Sequence, residues 1–200
     1  ELEPKERERV RQALFWQGFG VLGSDCFVHP SADLTAAFDA LVAEGLGDQL
    51  DKLMPLLAAD SRSGLSANDA DLVRRAWNLE ALAEAYAGFV AAYLPILAEL
   101  RRDRQAEVDA ESAFLLRTLL IHDYRRLLLR DPELPEVLLP ADWPGQKARL
   151  LCKELYRRLI APSELHLDQL LQLADGAVPE ADPLLVERFP TDDPLASMAQ

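Results

Sequence analysis

Ala113-Phe-Leu-Leu-Arg-Thr-Leu-Leu-Ile-His-Asp-Tyr-Arg-Arg-Leu-Leu-Leu129 is the stretch on which the reading of this chain turns. Its composition and spacing predict a helix, running from Glu107 to Arg130. At about 100° per residue, Thr118, His122, Arg125 and Arg126 share one polar arc. Arg117 falls instead among Phe114, Ile121, Tyr124 and Leu128, and Asp123 among Leu116, Leu119 and Leu127. A charge on an apolar face has to find a partner, because an unpaired buried charge is costly. Arg117 and Asp123 are therefore expected to meet partners inside the fold, the plain reading being a structural ion pair with a neighbouring helix. The sharper reading is an anion or effector site, for which Arg117, His122, Asp123, Tyr124, Arg125 and Arg126 are the candidates.

Downstream, Pro132, Pro135, Pro140 and Pro144 mark an ordered but irregular connection. Pro144 suits the first position of a helix running to Ile160, and Ser163 begins another that ends near Gly176. Trp143, just before that proline, is expected to plug the connection onto the helical core, and joins the effector or interdomain candidates. Upstream, Asp69 to Arg104 is rich in Ala, Leu and Glu, and Leu79, Leu82, Tyr86, Phe89 and Tyr93 fit one helical face, with Pro95 as a kink site.

The N-terminal third is mixed. Pro4 to Trp16 is expected to be helical, with Val10 and Leu14 on one side. Phe19–Leu22 and Cys26–His29 read as two short strands around a Gly23-Ser-Asp turn. Ser31 is placed as the N-cap of a helix through Val42. Lys52 to Ala59 is expected to be a strand whose Pro55 marks an edge or a bulge. Helix, two strands, helix and strand in this order resemble an α+β sandwich without its first strand. The expected fold class is thus α+β and mostly helical, divided into residues 1–68, a helical domain 69–176, and an extended or mobile Pro/Asp-rich tail 177–200.

Among 200 residues, 34 Asp and Glu outweigh 21 Lys and Arg, a net charge of −13. Such a chain repels nucleic acid phosphate unless its cations are gathered on one face, which they are only in part. Glu1 to Gln12 is charged rather than apolar and gives no signal-peptide pattern. Charges break the greasy stretches, so no membrane span and a cytoplasmic location are expected. Cys26 and Cys152 stand far apart, with no disulfide framework and no metal-type spacing. His122-Asp123 invites a divalent-metal hydrolase reading. That site needs further ligands, and neither His29 nor His166 has a ligand-like setting. No catalytic residue, metal or cofactor is therefore expected. Gly18, Gly20 and Gly23 formally match G-x-G-x-x-G, but they precede a strand rather than open a helix, which makes them a turn signal.

Two segments together carry a resemblance. Arg117 with Leu120-Ile-His-Asp-Tyr-Arg-Arg126, then Asp131-Pro-Glu-Leu-Pro135, then Leu138-Leu-Pro-Ala-Asp-Trp-Pro-Gly145 and Ala148 resemble the C-terminal region of PaaX-type repressors of phenylacetic acid catabolism in order, spacing and residue type. Gly18-Phe-Gly-Val-Leu22 and Trp77-Asn-Leu79 with Tyr86 and Phe89 look like that family's middle region, so the resemblance covers most of Glu1 to Ala174. It implies a winged helix that binds operator DNA, a ferredoxin-like (Cas2-like) middle module, here partial over residues 1–68, and a helical C-terminal domain. It also implies a homodimer released from DNA by an aromatic acyl-CoA such as phenylacetyl-CoA. The chain begins at the helix of the middle module, so operator binding is implied only through a winged helix absent from it.

The expected function is the effector-responsive, dimerising body of a bacterial transcriptional repressor and not an enzyme. Arg117, Arg125, Arg126, Arg157 and Arg158 are candidates for acyl-CoA phosphates, with a solvated charged face as the plain reading of Arg157 and Arg158. The alternatives are a metal-dependent hydrolase centred on His122 and Asp123, and a purely structural interaction module.

Overall fold

Pro4 opens helix α1 (Pro4–Phe15) at a position where a missing N–H is harmless. The Glu3 N–H donates to Glu6 Oε2 at 3.2 Å and closes that end. Val10, Ala13 and Leu14 are its buried side. The chain then turns through Gly18, whose φ of 82° favours glycine, into an antiparallel hairpin. Strand β1 (Gly20–Leu22) pairs with β2 (Cys26–Val28), Gly20 opposite Val28 and Leu22 opposite Cys26. Both strands lie where the alternation placed them, one residue shorter at their outer ends. The computed structural model describes residues 2–56, 69–102, 108–171 and 176.

Helix α2 (Leu34–Ala43) is capped by Asp33 and not by Ser31 as expected. The Asp33 carboxylate accepts from the N–H groups of Thr35 at 2.8 Å and Ala36 at 3.4 Å, while Ser31 is held two residues earlier by its own N–H donating to His29 Nδ1 at 3.1 Å. The expected strand from Lys52 is also corrected. Gly47–Lys52 is a 3-10 turn and residues 53–56 have no regular structure, with 57–59 outside the described residues. Pro55 has no N–H to give a ladder, and the sheet has two strands among the described residues. Among the described residues 70% are helical, beside one small two-stranded sheet near the N-terminus.

The apolar run read over Asp69 to Arg104 forms two helices, α3 (Asp69–Ala76) and α4 (Leu79–Arg102). Trp77-Asn78 separates them. The Trp77 indole N–H donates to the Gly18 carbonyl at 2.9 Å, and Asn78 Oδ1 accepts from the Ala81 N–H at 3.2 Å, as a cap does. α4 runs on through Pro95. α5 (Ala110–Leu128) is the helix predicted from the opening stretch, trimmed at both ends. Asp109 precedes it, and the Ser112 N–H that donates to its Oδ2 at 2.9 Å holds its carboxyl below the usual range.

The two helices expected after Trp143 are one, α6 (Gly145–Leu170), with Pro162 inside it and Pro144 as its N-cap rather than its first residue. Pro162 removes one backbone hydrogen bond, but Leu159 and Ser163 on either side of it are wholly buried. Packing decides the matter, and the helix continues.

The described residues fall into two compact units, one drawn from Glu1–Leu82 and Leu129–Asp142, the other from Ala83–Leu128 and Trp143–Gln200. The first has its core at Val10, Leu14, Phe19, Ala37, Leu41 and Leu46. Its hairpin meets the end of α3 so closely that a Cβ on Gly20 would lie 2.6 Å from the Trp77 ring. The second unit is built on α5 against α6, with the aromatic side of α4 completing it. α4 is long and apolar enough to cross a bilayer on length and composition, with 33% of its apolar window buried.

Candidate functional site

The second unit sorts the residues of the opening stretch into two sets. Arg117 is 8% exposed and its Nη1 lies 2.5 Å from Glu164 Oε1 on α6. Asp123 accepts a hydrogen bond from the Tyr93 hydroxyl of α4 at 2.9 Å. Burial, together with the hydrogen bond and negative charge of Asp123, pushes the Tyr93 phenol far above its ordinary range, so it stays a proton donor. Each of the two misplaced charges therefore has a partner on a neighbouring helix. They are not partners of one another.

Tyr124 is buried, and its ring lies 5.6 Å from that of Phe89, which is 4.7 Å from Tyr93. Trp143 meets Tyr86 edge to face, 5.8 Å between centroids at 72°. It is half-buried, as expected of a plug. Gly145 has to be small, because a Cβ there would run into the Trp143 indole nitrogen. His122, Arg125 and Arg126 are exposed on the opposite arc of α5.

The partners that sequence reasoning missed are Glu164 and Tyr93. Glu164 carried no distinguishing signal, being one acid among many. Tyr93 was legible only as another aromatic of the α4 series. A second charged cluster was also missed. Arg101 Nε donates to Glu154 Oε1 at 2.9 Å, and Arg158 Nη2 donates to the same oxygen at 3.0 Å. The Arg101 hydrogen bond, with that of Arg158, holds the Glu154 carboxyl below its usual range. Arg158 is thus tied to Glu154, and both it and Arg157 are exposed.

The histidines stand apart. His29 packs on Phe19 in the first unit at 5.2 Å, and His166 stacks on Phe114 in the second at 5.3 Å. Among the described residues no three His, Cys, Asp or Glu side chains gather as metal ligands. Cys152 is buried and Cys26 exposed, both as thiols. What the second unit offers chemically is a braced α5, its inner charges tied down and an imidazole and two guanidinium groups turned outward.

Residues 77–169 match the family of the PaaX-like protein C-terminal domain, a span that contains Arg117, the His122–Arg126 run and Trp143. The chain is similar to the transcriptional repressor PaaX of Escherichia coli strain K12, 34% identical over 183 residues that make up 90% of this chain. It spans 56% of the length of that relative. The relative is a transcriptional repressor, in accord with the expectation of a chain that is not an enzyme. Residues 77–169 are thus a PaaX-like C-terminal domain, within a chain similar over 90% of its length to a PaaX repressor.

Proposed function

We propose that this chain is the effector-responsive and dimerising body of a cytoplasmic transcriptional repressor. Its effector is an aromatic acyl-CoA such as phenylacetyl-CoA, and operator DNA is bound through a winged helix that these 200 residues do not contain. The observation that carries the reading is the division of labour on α5. Arg117 and Asp123 brace the helix from inside at 2.5 Å and 2.9 Å, while His122, Arg125 and Arg126 are exposed on its other side. Two guanidinium forks on a rigid helix suit the phosphates of a nucleotide thioester. Trp143, against Tyr86 at the start of α6, belongs to the same helical unit and is a candidate to follow the effector's arrival.

Residues 1–68 enter this proposal as part of a ferredoxin-like (Cas2-like) module, supported by the order α1, β1, β2, α2. Residues 69–176 enter it as the helical domain, and 177–200 as a tail without an assigned role. The similarity to a curated repressor favours this reading over a hydrolase.

The test is a thermal-shift and calorimetric titration of acyl-CoA thioesters against the full-length protein, with operator release measured in parallel. A ligand that binds only the native state raises its apparent stability. Phenylacetyl-CoA is expected to raise the melting temperature and release operator, and Arg125→Ala with Arg126→Ala is expected to weaken both effects without lowering the melting temperature of the free protein. If no thioester shifts the melt, the effector reading is wrong. Retention of about one metal per chain, lost in His122→Ala, would bring the hydrolase back.

A further inference from the structure

Residues three and four apart on a helix are neighbours on its surface. For Arg126 those positions are His122, Asp123, Leu129 and Arg130, so Asp123 is the one acid within its reach along the chain. Arg125 has Ile121, His122, Leu128 and Leu129, and no acid. Elsewhere an acid followed three residues later by an arginine closes into an ion pair. Glu8 meets Arg11 at 2.9 Å, and Asp71 meets Arg74 and Glu99 meets Arg102 in the same way. Glu6 and Arg9 share the spacing but are both engaged elsewhere, Glu6 with Lys52 at 3.5 Å and Arg9 with the Glu44 carbonyl at 2.7 Å. In Asp123 and Arg126 only the acid is engaged, by the Tyr93 hydroxyl at 2.9 Å. Arg126 is exposed and makes no ion pair among the described residues.

We infer that Tyr93 is a positioning residue for Arg126: its hydroxyl holds the Asp123 carboxylate toward α4 and so leaves the Arg126 guanidinium open to an anion from outside. Tyr93 is buried on α4, and burial together with Asp123 keeps its phenol protonated, so it donates throughout the neutral range. Without that donor the half-buried carboxylate has lost its hydrogen bond. The nearest replacement is the cation three residues along, which draws Asp123 outward. Arg126 is then neutralised in part, and the carboxylate stands where phosphates approach. Arg125, with no acid in reach on its own helix, is unaffected and serves as an internal control. The pairing half of this inference stands on geometry alone. The ligand half rests on the effector reading of Arg125 and Arg126 in the proposed function.

Two measurements on the full-length protein test it, the first without any effector. Modification of arginines by phenylglyoxal, followed residue by residue with mass spectrometry, reads how free each guanidinium is. Tyr93→Phe is expected to slow modification of Arg126 about two- to fivefold, the scale of competition from an exposed pair at this spacing. Arg125 is expected to react at its native rate. Adding Asp123→Asn, which has no charge to offer Arg126, is expected to restore the native rate there. A fold merely loosened by the lost hydroxyl raises both rates and does not slow one. Arg126 reacting alike in the native protein and in Tyr93→Phe overturns the inference. The second measurement is calorimetric titration with phenylacetyl-CoA. Tyr93→Phe is expected to weaken binding by the same about two- to fivefold, the double variant to recover it, and Tyr93→Phe to add nothing to Arg126→Ala. Weaker binding that the double variant fails to recover shows Tyr93 acting through the fold, and overturns the inference. Slowed Arg126 in a protein that binds no thioester in any form supports the positioning role and overturns the effector reading instead.

Discussion

Arg117 shows most directly what a charge on an apolar helix face has to do. Its pair with Glu164 leaves 10% and 20% of the two side chains exposed. Removing one partner strands the other, so Arg117→Ala is expected to cost about 3–5 kcal/mol in urea unfolding. Replacing both, as Arg117→Met with Glu164→Leu, is expected to recover most of that loss. Asp123 has a neutral partner, and Asp123→Ala is expected to cost less, about 1–3 kcal/mol, the penalty of leaving the Tyr93 hydroxyl unsatisfied. Asp123→Asn keeps an acceptor and is expected to lie closer to the native protein. His29 gives a prediction in pH. Burial lowers its imidazole from the ordinary 6.5, and its Nδ1 accepts the Ser31 N–H, which only the neutral ring allows. Above 6.5 the ring is neutral in both folded and unfolded chains and no stability is lost. As pH falls through 6.5 the unfolded chain takes up the proton first, and stability drops until the folded ring also protonates. Glu154, whose carboxyl is depressed mainly by Arg101, behaves in the usual acid sense, its contribution present above 4.5 and lost below. Unfolding free energies from pH 7.5 to 5 are expected to fall more steeply for the native protein than for His29→Gln. Equal slopes would show that the ring titrates alike in both states.

The elements were legible in proportion to how local their causes are. The hairpin was readable because Gly23 and a short alternation fix it within a few residues, and α5 because its polar arc and apolar face separate cleanly on paper. The partners of Arg117 and Asp123 were predictable as a need but not by name, since Glu164 is 47 residues away in sequence and Tyr93 is 30. The failures share the opposite cause. Ser31 does not cap α2 because the helix begins three residues later, at Leu34, where the Asp33 carboxylate takes the cap. The strand expected from Lys52 is not formed over residues 52–56, where Pro55 has no N–H to give a ladder. The helices expected to end at Ile160 and to begin at Ser163 are one; an interior proline such as Pro162 costs a helix about 3 kcal/mol relative to alanine, yet the buried Leu159 and Ser163 hold α6 together across it. That gives an element-level prediction. If packing tolerates the proline without using it, Pro162→Ala restores a backbone donor and is expected to raise the thermal midpoint, by about 1–2 kcal/mol in stability once the entropy gained by the unfolded chain is subtracted. A lower midpoint would show that α5 packs against a bend that only the proline supplies.

Charge is the property of the whole molecule that bears most directly on what it can touch. With 34 acids against 21 cations, long-range attraction to a polyanion is absent, and several of the cations are already committed. Arg101 and Arg158 converge on Glu154, Arg117 on Glu164, Arg7 on Asp25 at 2.9 Å, and Arg74 on Asp71. Specific and non-specific DNA binding both draw on counterions released by lysines and arginines set along a phosphate track. The exposed Arg125 and Arg126, side by side on α5, are too few to make one. Residues 1–200 by themselves are therefore expected to bind duplex DNA no better than other acidic proteins, with no retardation of operator fragments at about 0.15 M salt. The full-length protein is expected to bind operator with a steep salt dependence supplied by residues outside this chain. A sequence-specific shift by residues 1–200 that weakens as salt rises, and that is lost in Arg125→Ala with Arg126→Ala, would assign those arginines to DNA and not to the proposed effector.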